Sequence, residues 1–149
     1  MKSCNKILVI EDSKTVSDNI NYILQKLDIL VDVADTGKRA FELLSLSKYN
    51  LVILDLLLPD IDGEKILLMI REKFELEILP VIVVSSINED KRIIQLLKSG
   101  ANDFLTKPFN ELILKQKVKI LLESQNKTES ILTYNDSFKD IIDHCCPND

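Results

Sequence analysis

Five side chains of complementary chemistry stand at or just past the ends of short apolar runs. ILVIED closes on Glu11 and Asp12, LVILD on Asp55, VIVVSS carries Ser85, and DFLTKP carries Lys107. Carboxylates held together repel and raise one another's pKa, so a cluster of three calls for a cation. Oxygen donors suit a hard ion, and Mg²⁺ bound by a few carboxylates, waters and a phosphate oxygen fits this set. A serine hydroxyl can donate a hydrogen bond and a lysine ammonium supplies a point charge. An anionic phosphoryl group needs both on its side away from the metal. A carboxylate can also be the nucleophile, so the same set could hold a phosphoryl group beside the residue that accepts it.

Taken singly, none of these residues is distinctive. An Asp after a strand is commonly a cap or turn residue, an acidic doublet can simply open a helix, and Lys-Pro is an ordinary loop dipeptide. The joint pattern gains meaning only if the runs are strands of one sheet. Runs rich in Val, Ile and Leu recur between segments of helical period, the alternation of a parallel sheet covered by helices. Strands are expected near 6–10, 30–34, 50–54, 80–84 and 103–106, and helices near 14–27, 37–47, 63–74, 89–98 and 109–124. Ser13 can cap the first helix. Asn88, Glu89 and Asp90 place acceptors and negative charge at the start of the fourth, and Gly100 stands just past its end. Right-handed crossovers then give an α/β fold, a doubly wound five-stranded parallel sheet with five flanking helices. The spacing fits the flavodoxin-like order 2-1-3-4-5, in which ligands bind at the carboxyl ends of the strands. All five candidate residues fall at that end.

The chain of 149 residues suits one compact domain, here residues 1–123, with residues 124–149 as a tail or linker opened by the polar SQNKTES. Within the tail, Tyr134, Phe138, Ile141, Ile142 and Cys145 recur along one face of a helix. Nineteen basic against 24 acidic residues leave a net charge of -5 without a basic block, which argues against direct binding of nucleic acid. No apolar run is long enough to cross a bilayer and no signal-peptide core opens the chain, so a soluble cytoplasmic protein is expected. Cys4, Cys145 and Cys146 show neither zinc spacing nor a disulfide framework and are expected to be reduced.

Residues 1 to about 123 resemble the receiver domain of bacterial two-component response regulators. The resemblance rests on Glu11-Asp12, on Asp55 in LDLLLPDIDG, on Ser85 and Lys107, and on GANDFLTKPF at 100–109. It implies that Asp55 accepts a phosphoryl group from the phosphohistidine of a sensor histidine kinase. Mg²⁺ would be held by Asp12, Asp55 and the backbone carbonyl of Leu57, with Glu11 acting through water. Lys107 would pair with the phosphate and Ser85 would bond to it. Phe104 would be the switch aromatic that turns inward when Ser85 moves, altering the surface of helix four, strand five and helix five. The resemblance also implies a cis Lys107-Pro108 bond, an isomer that proline makes accessible. Such a chain is a phospho-accepting regulator rather than an enzyme in the ordinary sense, acting on an effector domain or partner protein, with a homodimer compatible.

Departures from the family pattern are few. Ser85 replaces the commoner Thr, and Ser86 stands where Ala is usual. Leu57 and Ile87, each two residues beyond a site residue, are apolar where the resemblance implies polar side chains that orient a hydrolytic water, and a long-lived phosphoryl state is expected. A phosphohydrolase similar to the haloacid dehalogenase family would need a second Asp where Leu57 stands. A flavodoxin-like binder of FMN would need a phosphate cradle where the acidic EDSKT lies. A receiver reduced to a binding module would show losses in the acidic set or at the lysine, and none is seen. His144 lacks the helical-bundle setting of a relay histidine.

Overall fold

Val, Ile and Leu make up most of the strand residues, and the computed structural model describes residues 5–76 and 78–136, with side-chain surroundings as far as residue 124. The elements alternate as β1 (Lys6–Ile10), α1 (Lys14–Gln25), β2 (Leu30–Ala34), α2 (Gly37–Leu46), β3 (Leu51–Asp55), α3 (Gly63–Lys73), β4 (Val81–Ser85), α4 (Asp90–Lys98), β5 (Asp103–Thr106) and α5 (Glu111–Asp136). All strand pairs are parallel and the order is β2-β1-β3-β4-β5, as expected.

The period of two along each inner strand divides the interior into two cores. Ile7, Val9, Leu51, Ile53, Ile82 and Val84 join α1 and α5 through Ile20, Leu24, Leu114 and Val118. The alternate residues Leu8, Ile10, Val52, Leu54, Val81 and Val83 join α2, α3 and α4 through Ala40, Ile66, Leu67 and Leu96. Burying a side chain of this size is worth about 1.5–3 kcal/mol, so the central strands dominate the stability of the sheet. The edge strand β2 leaves Leu30 and Val33 exposed.

Two strands end one residue later than the apolar runs suggest. Asp55 and Ser85 still take part in the ladder, opposite Val84 and Thr106, so these polar residues are the last of their strands and share the rigidity of the sheet. The last helix also differs, running through Asp136 rather than stopping near 124. SQNKTES is polar but contains neither Gly nor Pro, so nothing in it breaks the backbone ladder. The stripe from Tyr134 to Cys145, His144 and all three cysteines lie outside the residues whose side chains are described. Among the described residues no helix is long and apolar enough to cross a membrane.

The amino-terminal edge of the sheet is closed by polar contacts. The buried Tyr49 hydroxyl donates to Asp32 at 2.6 Å, and Lys6 Nζ lies 3.3 Å from the same carboxylate. The hydrogen bond from Tyr49, followed by Lys6, holds Asp32 below the usual carboxylate range. Burial and the Asp32 carboxylate push the Tyr49 hydroxyl well above its own. Tyr49→Phe should therefore cost about 1 kcal/mol near neutral pH. A carboxylate with a depressed folded pKa contributes fully above its unfolded value of about 3.9, and that contribution is lost as pH falls through the lower folded value. The gap between wild type and variant in urea denaturation should thus narrow as the medium is acidified below about pH 4. A gap of constant size would refute this assignment.

Candidate functional site

The carboxyl edge of the sheet gathers the predicted residues. Glu11 follows β1 directly and is buried, Asp12 is exposed beside it, and Asp55 closes β3 at 5% exposure. One carboxylate oxygen from each of the three lies within 4.8 Å of the others. Lys107 reaches them from the loop after β5, its Nζ 2.8 Å from Glu11 Oε1 and 3.5 Å from Asp55 Oδ1. The Lys107-Pro108 peptide is cis.

Backbone donors complete the setting. The Ser13 N–H donates to Glu11 Oε2 at 3.2 Å, and the Leu57 N–H donates to Asp55 Oδ1 at 3.3 Å. Burial pushes the Glu11 carboxyl up, and the neighbouring Asp55 adds to this, while Lys107 and the Ser13 amide pull the other way. Burial opposes the charge on Lys107, but its hydrogen bond to Glu11 and the charge of Asp55 outweigh it, so its pKa is raised. Three carboxylates therefore face one ammonium in a partly desolvated setting. Their hard oxygen donors fit a small divalent cation better than any thiolate- or imidazole-seeking metal.

The other predicted residues sit close by without joining the acidic cluster. Ser85, 1% exposed, closes β4 next to β3, and its Oγ accepts from the Ile87 N–H at 3.3 Å. Its carbonyl accepts from the Lys107 N–H at 2.8 Å, which ties the lysine loop to β4. Phe104 lies opposite Val83 on β5, half-buried against the core on the α2–α4 side. The Leu57 side chain is 69% exposed, and Ile87 is half-buried against that same core.

Several contacts that hold the site were not singled out from the sequence. Asp60, in the loop after β3, accepts from the Gly37 and Lys38 N–H groups at 2.8 and 3.0 Å and so clamps the start of α2. Those bonds hold its carboxyl below the usual range. Arg71 donates to the carbonyls of Gly100 and Leu79, both at 2.7 Å, and to Asn102 Oδ1 at 2.7 Å, bracing α3 against the α4–β5 turn. Gly100 ends α4 at φ +117, a conformation that favours glycine, and a Cβ there would meet Arg71 Cγ at 2.5 Å. Glu64, in the first turn of α3, bonds Arg92 of α4 at 2.6 Å. Asp60 lies within LLLPDIDG and Asn102 within GAND, so their stretches were visible. Nothing in the sequence alone marks Arg71 or Glu64.

Comparison with known proteins agrees with this geometry. Residues 7–119 match the family described as the response regulator receiver domain. The transcriptional regulatory protein KdpE of Staphylococcus aureus is 33% identical over 132 residues, covering 87% of this chain and 56% of that protein. The chain thus spans little more than half the length of that relative. A two-component response regulator from Clostridium difficile superposes with a TM-score of 0.75 at 34% identity, covering 80% of this chain and 96% of that one. The BeF3-activated receiver domain of RstA from Klebsiella pneumoniae gives 0.74 at 31% identity, covering 79% and 98%.

The approach of α3 to the site gives a direct test. The Gly63 N–H donates to the Leu56 carbonyl at 3.0 Å, and a Cβ on Gly63 would stand 2.5 Å from Leu56 Cα and 2.7 Å from the Asp55 carbonyl oxygen. These are backbone atoms that cannot rotate away. Gly63→Ala should destabilise the fold by about 2 kcal/mol through overpacking, read by chemical denaturation. A change within about 0.5 kcal/mol would show that the contact yields easily.

Proposed function

The chain belongs to the response regulator receiver domain family, and from that premise we propose that it is a phosphorylation-operated signalling switch. Asp55 is its acceptor and a sensor histidine kinase is the donor. The observation that carries this reading is the convergence of Glu11, Asp12 and Asp55 oxygens within 4.8 Å of one another, beside the Lys107 ammonium, at the carboxyl edge of a parallel sheet.

In the transfer, a carboxylate oxygen of Asp55 attacks phosphorus while the bond from phosphorus to the imidazole nitrogen breaks. The nitrogen keeps the electron pair and takes a proton from solvent, and an acyl phosphate remains. The Leu57 N–H and Lys107 fix the rotamer of Asp55, so little reorganisation is needed at the moment of attack. Lys107 pairs with the phosphoryl oxygens, and Ser85 turns its hydroxyl from the Ile87 amide to donate to them. Asp12, Asp55 and the Leu57 carbonyl would hold Mg²⁺, with Glu11 acting through water. There the ion supplies positive charge against the carboxylates and the phosphoryl group. Movement of Ser85 makes room for Phe104 and shifts the population of the α4–β5–α5 surface, which is read by an effector domain or partner protein. Residues 1–123 act as the receiver, Leu122 being the last buried side chain described, and residues 124–149 lead toward that output.

Incubation with acetyl phosphate and Mg²⁺ should add one phosphoryl group by intact mass. Asp55→Asn should add none while keeping the wild-type circular dichroism. No gain in the wild type with either acetyl phosphate or a phosphorylated kinase would favour a receiver used only for binding. The acyl phosphate, once formed, should persist, because Leu57 and Ile87 offer no polar side chain to orient an attacking water. Leu57→Asn should speed its loss by about tenfold, the rate equivalent of one net hydrogen bond to the attacking water, roughly 1.4 kcal/mol. Equal decay in the two proteins would remove Leu57 from this role.

A further inference from the structure

The helices are not held equally. Ser13, Thr36, Asp62 and Asn110 each cap the start of α1, α2, α3 or α5 with a side-chain hydrogen bond to a backbone N–H. Glu89, at the same position before α4, makes no such bond. Among the described residues α4 buries only Leu96, and it leaves Ile94 and Leu97 exposed at 50% and 42%. An element with one buried side chain and uncapped amides opens at low free-energy cost. Among the described residues, the side-chain hydrogen bonds that reach it from another helix come from one carboxylate. Glu64 accepts from Arg92 Nη1 at 2.6 Å through one oxygen and from Gln95 Nε2 at 3.3 Å through the other. The two donors are three residues apart and so lie on one face of α4. Glu64 is itself well sheltered, its side chain 16% exposed.

Glu64 stands next to the point where α3 touches the backbone of the proposed acceptor. Glu64 follows Gly63, whose amide is bonded to Leu56 and whose Cα lies so close to the Asp55–Leu56 backbone that no side chain fits. The start of α3 therefore moves with the end of β3, and a displacement there reaches α4 through a short chain of rigid contacts.

We infer that Glu64 is a positioning residue that latches α4 through Arg92 and Gln95, and that the strength of this latch sets how readily Asp55 takes up a phosphoryl group. The inference rests on the phosphorylation reading above. The latch favours the arrangement of α4 seen here, and a phosphoryl group that favours another arrangement works against it. Coupling between the two is reciprocal, so weakening the latch eases phosphorylation.

The test uses Glu64→Ala, Arg92→Gln and the double variant in the full chain. Without phosphodonor, amide exchange across residues 90–98 should rise about fivefold in each single variant, the effect of losing roughly 1 kcal/mol of a sheltered ion pair. The double variant should add little, as expected of partners in one contact. Exchange in β1 and β3 should stay unchanged. With acetyl phosphate and Mg²⁺, the rate of phosphoryl gain by intact mass should rise about threefold to fivefold in both single variants, in step with the larger population of the α4 arrangement that the phosphoryl group favours. Unchanged exchange in α4 would overturn the latch, and faster exchange with an unchanged rate of phosphorylation would overturn its coupling to Asp55. Failure of the wild type to gain phosphate would overturn the functional reading and the coupling with it, and is told apart because the exchange measurement needs no phosphodonor.

Discussion

Three carboxylates cluster at the edge of a sheet that is apolar on both faces, with one ammonium bridging two of them, and the loops around that edge are organised against this imbalance. Parallel strands bring all their carboxyl ends to one side, so residues distant in sequence meet there whether or not their charges suit one another. Glu11 is almost fully buried and its carboxyl is pushed up by desolvation, yet it holds Lys107 at 2.8 Å. The lysine therefore lies across Glu11 and Asp55, and its raised pKa reflects their joint negative charge. A site in this condition has capacity for more positive charge beside the carboxylates and for a change of partner by the lysine. A divalent cation with an anionic phosphoryl group meets both conditions.

The surroundings combine stiff supports with one weak one. Asp55 and Ser85 are the last residues of buried strands and cannot drift far. The loop after β3 is fixed at two points, by Asp60 on the amides of α2 and by the backbone contact at Gly63. The far side of α3 is braced by Arg71 across Gly100, Leu79 and Asn102. Packed, hydrogen-bonded structure of this kind transmits a displacement rather than absorbing it. α4 is the exception, with one buried residue and no side-chain cap, so it opens at low cost.

The fold was legible because its determinants are local and periodic. Apolar runs of five residues, helical segments between them and Gly100 past α4 give the architecture without any long-range knowledge. The site residues were legible for a related reason, since each stands where a run ends and the topology rule says that such ends converge. The slips have physical causes too. Asp55 and Ser85 read as standing at or just past the ends of their runs because they are polar, although the ladder extends to them. The expected acceptors at the start of α4 are present in Asn88, Glu89 and Asp90, but none of their side chains makes the cap. A propensity for capping describes what a residue can do, whereas the geometry of the entering loop decides whether it does.

What the sequence hides are contacts between elements far apart in the chain, made by residues that are unremarkable where they stand. Arg71 and Glu64 look like solvated charges on an amphipathic helix, the commonest reading of such residues. Apart from the nearer carbonyls that Arg71 also binds, their partners lie 28 to 31 residues away and are fixed only once α3 packs beside α4 and the α4–β5 turn. These two residues do opposite things with the same helix. Arg71 binds the Gly100 carbonyl and the Asn102 side chain just past the carboxyl end of α4, and Glu64 grips Arg92 and Gln95 nearer its start, where no side-chain cap helps. α4 is therefore held by a backbone carbonyl contact just past the end remote from the acidic cluster, and by side chains at the end closer to it. A helix held in that way is least constrained at the end near the acidic cluster, and its exposed face carries Ile94 and Leu97.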